Sequence, residues 1–389
     1  MKPRLTAGFI PLVDCAPLVV AHELGFAERE GFQLDLVKQP SWSAIRDMLA
    51  LGHIEAAHML SPMPVAMSLG LGGLAARVDV LMVLSANGNS MGVTPAIAER
   101  MRANGWSGDF NAPFETGKHL IEATGGEIRL GVPFPFSMHA ELFYHWLGAL
   151  GISSGEALDV RTIPPPRMAE AIGAGEIDAF CVGEPWGSLA VETGVAELVL
   201  PGSAIWAFAP EKVLAVRHEW CEENPDLTRR LMRAVHAASR WLGEAENRMV
   251  ASELLARSDY LDLSDSIIDR ALTWTIQPRM GQLGQHVENF QRFHGGAATF
   301  PWRSQGAWIA THIAARAGLS REEALEVARG CFRSDLYRAN LTGTGADMPG
   351  ASEKLEGALP RATPVASVRG EMILGPDAFF DGQVFDFGT

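Results

Sequence analysis

A chain of 389 residues, 47% hydrophobic and 20% charged, has the length and composition for two globular units with a full core each, which excludes an intrinsically disordered chain. Acidic residues outnumber basic ones by 46 to 32, giving a net charge of −14 with no basic run or stripe, so nucleic acid is excluded as a direct partner. No apolar window is long enough for a membrane-spanning helix.

Leu5 to Val13 reads as the first strand. Lys2 and Arg4 ahead of it imitate a secretion signal, and Leu12-Val-Asp-Cys15 imitates a lipoprotein cleavage box. Pro11 and Asp14 interrupt the apolar run, so the expectation is a strand and, with Met1 as the start, a cytoplasmic protein; a removed signal peptide would make it periplasmic. A helix over Ala16 to Glu30 is closed by Gly31, and Gln33 to Val37 is the next strand. Ser41 caps a helix that runs to Leu51 and carries Trp42 in its first turn. Strands over Ile54 to Leu60 and Val78 to Ser85 flank a helix over Pro64 to Leu71, the alternation expected of a parallel sheet.

Between Ser90 and Ile128 the pattern weakens to one helix near Pro95 to Asn104 and polar loops. A strand over Ile128 to Val132 and a helix over Met138 to Leu150 follow, then strands over Ala157 to Ile163 and Ile177 to Val182 and one near Ala196 to Leu200. The end of Trp206 to Val216 is strand-like. From Pro225 onward apolar spacings of three and four predict helices over Leu227 to Glu246, Met249 to Arg257, Asp265 to Thr273, Ala307 to Ala317 and Arg321 to Arg329. The tail after Leu341, rich in Gly, Pro and Ala, is expected to wrap the surface. Cys15, Cys181, Cys221 and Cys331 have no CxxC spacing and read as reduced core thiols.

Two stretches share one grammar. Lys38 to Pro62 and Thr162 to Pro185 each run strand, proline, amphipathic helix, glycine stop (Gly52, Gly175), Ile-acid-Ala, apolar strand and a second proline. Two copies are too few for a solenoid, so the expectation is two similar α/β lobes with a ligand between them. Lobe 1 is expected over 1–89 and 206–340, lobe 2 over 90–205, and a wrapping tail over 341–389. Ligands of open α/β sheets sit at the carboxyl ends of strands, where helix starts offer unpaired N–H groups.

Enzyme signatures are missing. Gly70-Leu-Gly-Gly-Leu-Ala75 fits a dinucleotide fingerprint but follows a helical run, and no Walker A, GxSxG, HExxH or paired CxxC is present, so no catalytic residue, metal or cofactor is expected. Polar groups do collect at predicted strand ends and helix starts: Trp42, His58, Asn87 to Ser90, His139, Glu184 and Lys212. Taken singly each has an ordinary role, as packing, backbone bonding or a solvated charge. Taken together, one lysine, one histidine, amide donors and an indole wall suit a small anion, which needs a compensating cation and several donors once buried.

Lys38-Gln-Pro-Ser-Trp-Ser-Ala-Ile-Arg-Asp47, Pro133 to His139, Asp178-Ala-Phe-Cys-Val-Gly-Glu-Pro-Trp186, Pro210-Glu-Lys-Val-Leu214 and Phe300-Pro-Trp-Arg-Ser304 with Trp308 carry a resemblance. From Leu5 to Arg338 the chain resembles the nitrate, nitrite and bicarbonate receptors of the NrtA, NasS and CmpA family, which have the type II periplasmic binding protein fold. That resemblance implies two lobes, each a mainly parallel sheet flanked by helices, with the ligand in the cleft between them. It implies an anion site lined by Trp42, Asn89, His139 and Lys212, with Pro165, Val182 and Glu184 close by. Asn89 departs from the glutamine expected there, and a lysine at 212 favours nitrate or nitrite over bicarbonate. Without an export signal the chain looks most like the NasS branch, cytoplasmic sensors that restrain an RNA-binding, NasT-like antiterminator. The alternative is the receptor of an ABC importer, with a permease as partner.

Overall fold

The computed structural model describes residues 2–152 and 157–388. Apolar strands alternating with proline-led helices build two sheets. The first uses β1 (Arg4–Phe9), β2 (Gln33–Lys38), β3 (Ala56–Leu60) and β4 (Val78–Asn87); the second uses β5 (Asn89–Val93), β6 (Ile128–Val132), β7 (Leu158–Thr162), β8 (Ala179–Gly183) and β9 (Glu197–Pro201). The chain then returns to the first sheet through β10 (Pro210–Arg217). The spatial orders are β4-β10-β3-β1-β2, extended past β4 by the two-residue strand Gln291–Arg292, and β7-β6-β8-β5-β9.

The two orders are one topology used twice. In each sheet three strands are parallel, β2-β1-β3 and β7-β6-β8, and the next strand is antiparallel and arrives from the other lobe. The sheets are mainly parallel, as expected, with one opposed long strand in each: β10 runs against both β3 and β4, and β5 against both β8 and β9. A strand that enters from the opposite lobe meets the carboxyl edge first, and that direction of entry fixes it antiparallel to the βαβ strands. The two stretches of shared grammar fall on equivalent places, β2 to β3 with the helix Trp42–Ala50 between them, and β7 to β8 with the helix Met168–Gly173.

Local chemistry sets the element ends. Ser41 and Ser137 each accept a hydrogen bond from the backbone N–H three residues on, at 3.2 Å, which caps the helices that carry Trp42 and His139. The expected helix over Ala16 to Glu30 is two pieces, Ala16–Glu23 and Phe26–Arg29, because Gly25 turns left-handed between them at φ 70°. The stretch read as loops contains a helix, Pro113–Thr124, and the β5 strand also went unread. From β4 to β5 the chain crosses between lobes through Gly88, at φ 98°.

The C-terminal segment lies at the return crossing. Phe379 packs on Trp206 and Trp308 with ring centroids 4.7 and 5.8 Å away. Backbone bonds run from Ala207 to Ala378 at 3.0 Å and from Phe380 to Ile205 at 2.9 Å. Asp381 reaches His145, on the helix that begins at Met138, at 3.4 Å. Among the described residues no helix is long and apolar enough to cross a membrane.

Candidate functional site

The carboxyl ends of β1, β2, β3 and β4 and the amino end of β10 share one edge of the first sheet, and the carboxyl ends of β6, β7 and β8 form the matching edge of the second. The two edges face each other. Val13 N–H donates to the Glu184 carbonyl at 2.8 Å and Trp186 Nε1 to the Pro11 carbonyl at 2.7 Å, so the lobes are shut over what lies between them.

Lys212 is the centre of that space. Its ammonium lies 2.8 Å from Asp14 Oδ2, in the turn after β1, and donates to Glu211 Oε1 at 2.8 Å. All three side chains are 1% exposed or less. His58 Nε2 is 2.8 Å from Asp14 Oδ1, and its Nδ1 faces the Ile10 N–H at 3.4 Å, an arrangement that fits a neutral ring protonated at Nε2. Trp42 covers the group from one side: its ring centroid is 5.6 Å from Lys212 Nζ and 5.6 Å from the His58 ring.

The second lobe contributes His139, Asn89 and the Gly183-Glu184 corner. His139 is fully buried with Nδ1 3.3 Å from Glu211 Oε1, and neither ring nitrogen makes a hydrogen bond among the described residues. Asn89 donates from Nδ2 to Glu211 Oε2 at 2.8 Å, so its donor serves the carboxylate. Its oxygen turns to Gly202, where a side-chain carbon would sit only 1.7 Å away. Glu184 does not face Lys212 through any hydrogen bond: it accepts from Ser90 Oγ at 2.7 Å and from the Ser188 N–H at 3.1 Å. Val182 is buried inside β8, and Pro165 heads the short turn Pro165–Arg167 after β7, on the same edge as His139. Gly183 leaves room at the meeting point, since a side-chain carbon there would lie 3.5 Å from Asp14 Oδ2 and 3.6 Å from His139 Nε2.

Burial and charge divide the titratable groups. Burial pushes Asp14 upward, but Lys212 and His58 outweigh it and bring its carboxyl down to about 2. Burial wins at Glu211, which rises to about 6 despite Lys212. Burial keeps His139 well below its ordinary value, aided by Lys212, and lowers His58. At Lys212 the two carboxylates overcome burial and raise it, so the ammonium stays charged. One cation is therefore shared by two carboxylates. The sequence picked out Trp42, His58, His139 and Lys212, which the fold brings together, but passed over Asp14 and Glu211.

Away from this edge, Asp79, His218 and Glu222 lie close enough to hold a metal ion, yet Arg333 already sits 2.7 Å from Asp79 and 3.7 Å from Glu222 as the cation of that group. A cavity of about 340 Å³ lined by Ser68, Arg77, Val78 and Cys331 also lies at the far end of β4.

Residues 1–256 match the pattern of the NMT1-like family. The chain is 27% identical over 391 residues, 97% of its length and 82% of the relative's, to a nitrate/nitrite binding protein NrtA of a Nostoc species. It is 34% identical over 315 residues to the nitrate import ATP-binding protein NrtC of a Synechocystis species; that match takes 80% of this chain but spans only about half (46%) of the relative's length. Among solved structures, the periplasmic nitrate-binding protein NrtA from Synechocystis superposes with a TM-score of 0.83 at 24% identity, covering 100% of this chain and 96% of that one. The alkanesulfonate-binding protein SsuA from Xanthomonas axonopodis does so with a TM-score of 0.56 at 15% identity, covering 86% and 98%. With two lobes of one topology closed on a shared cleft and the family pattern running through both, the chain belongs to the NMT1-like family and has the two-lobed fold of periplasmic binding proteins.

Proposed function

We propose that this chain binds nitrate or nitrite between its lobes and serves as the solute-binding component of an ABC-type importer. The observation that carries the reading is the set of groups around Lys212: Trp42 Nε1 and both ring nitrogens of His139 are buried, unpaired and contributed by both lobes. A small planar anion could accept from the imidazole and the indole while the ammonium offsets its charge. The resemblance to nitrate-binding relatives over nearly the whole chain supports the same ligand class. Trp42, His139 and Lys212 are the proposed contacts, Asn89 is a holder of Glu211, and Pro165, Val182 and Glu184 form the wall behind. The division that follows this reading is the expected one moved by one residue, lobe 1 over 1–88 and 206–340 and lobe 2 over 89–205, because Asn89 opens β5 of the second sheet.

The importer role displaces the sensor role expected from the sequence. The relatives named above are a binding protein and an import ATPase, and nothing in them supports an antiterminator partner or the cytoplasmic placement that went with it. The partner proposed is therefore a permease and its ATPase.

Calorimetry tests the reading. Nitrate and nitrite are expected to bind and bicarbonate to bind more weakly, and His139→Ala is expected to lose at least about tenfold in nitrate affinity, the worth of one charge-assisted hydrogen bond, with an unchanged circular dichroism spectrum. Wild-type protein that gives no heat with either nitrogen oxyanion would refute the ligand assignment.

A further inference from the structure

Counting charges in the closed cleft gives a result that a lone lysine would not. Lys212 carries one positive charge, and Asp14 and Glu211 carry two negative charges when both are ionised, all within 2.8 Å contacts and out of solvent. An incoming nitrate would bring the buried total to two uncompensated negative charges, a prohibitive sum. Resting on the ligand reading above, we infer that the site takes up its anion together with one proton, and that Glu211 is the residue that receives it.

Geometry selects Glu211 over Asp14. Asp14 is held ionised by Lys212 on one oxygen and His58 on the other. Glu211 faces Lys212 on its own strand, Asp14 across the sheet edge, Asn89 on β5, Cys181 on β8 and His139 on the helix Met138–Gly148. Its Oε1 lies 3.3 Å from His139 Nδ1, short of a hydrogen bond, while His139 Nε2 faces Gly183; a ring protonated at Nδ1 leaves Nε2 a lone pair, which repels an anion. A proton taken from solvent onto Glu211 Oε1 lets the carboxyl turn to donate to His139 Nδ1, so the ring holds its own hydrogen on Nε2 and Nε2–H points toward the space at Gly183. Lys212, which donates to that same oxygen when it is ionised, keeps Asp14 as its partner. One proton thus removes a charge and creates a donor.

The sign follows directly. An anion beside Glu211 raises its proton affinity, so protons are taken up on binding and affinity falls with rising pH. Because the unliganded carboxyl sits at about 6, the loss begins above that pH and approaches about tenfold per pH unit. The experiment is nitrate calorimetry from pH 5.5 to 8.5 in two buffers of different ionisation enthalpy, on the wild type and on Glu211→Gln. The wild type is expected to take up close to one proton at pH 7.5, and the variant, whose amide can donate to His139, to bind with little pH dependence and no proton uptake. Wild-type affinity that stays flat with no buffer effect overturns the inference and leaves nitrate binding standing; a variant that keeps the wild-type slope overturns the role of Glu211. Absence of nitrate binding at every pH overturns the ligand reading as well. Should the variant fail to fold, the two-buffer measurement on the wild type decides alone.

Discussion

At the scale of single residues, Lys212 changes meaning once its neighbours are seen. As a lone compensating cation it could be removed with no effect beyond ligand loss, which is what its sequence context suggests. In the fold, Lys212→Ala would strand Asp14 and Glu211 in a space where both are 1% exposed or less. Removing one partner of a buried ion pair costs about 3–5 kcal/mol, so urea denaturation is expected to show a loss of that order in addition to lost binding. A variant as stable as the wild type would mean that water reaches the carboxylates. Trp42, His139 and Lys212 were legible because each stands beside a proline or serine that marks a strand end. Asp14 was visible only as an interruption of an apolar run. Glu211 was hidden by period-two logic, which sends adjacent strand residues to opposite faces. Register shifts on either side of Lys212, where β10 pairs with β4, defeat that alternation and let both residues serve one site.

At the scale of elements, the repeat was legible and the crossing strands were not. Lys38 to Pro62 and Thr162 to Pro185 could be matched because each is a continuous βαβ unit whose hydrophobic period changes from two to 3.6 and back. The β5 strand is five residues with a glycine near its end, too short and too weakly patterned to stand out from Asn87-Gly-Asn-Ser90, yet it sits between β8 and β9 and holds Asn89 over Glu211. Gly92 is there for a packing reason. A side-chain carbon on it would fall 2.3 Å from the tip of the Phe180 ring on the neighbouring strand. Gly92→Ala is therefore expected to cost about 1–3 kcal/mol through overpacking, read as a shift of the denaturation midpoint. Pairing it with Phe180→Leu should return part of that loss, because the three atoms nearest the added carbon all belong to the Phe180 ring.

At the scale of the molecule, a site this deeply covered cannot fill unless the lobes part. Trp42, Asn89, His139 and Lys212 are each 1% exposed or less, so a ligand reaches them only through an open state, and closure must be favoured by contacts that span the cleft. The C-terminal segment on Trp206 and the Gly88 crossing join the lobes, and the Pro11–Trp186 contact lies near that crossing, where Glu184 N–H donates to the Gly88 carbonyl at 3.1 Å. Trp186 Nε1 donating to the Pro11 carbonyl is a bond between lobes with no share in the anion's own shell. Trp186→Phe removes the donor and keeps most of the ring, so it is expected to weaken the closed state by about 0.5–1.5 kcal/mol and raise the nitrate dissociation constant roughly 2- to 12-fold. The same change should leave the pH slope of binding untouched, because it acts on the conformational equilibrium and not on Glu211. Small-angle scattering provides the matching observable: the radius of gyration should fall when nitrate is added to the wild type and require more nitrate to fall in the variant. An equal radius with and without ligand would mean that the cleft fills by local opening around Trp42, and the interlobe bond would then have no bearing on affinity.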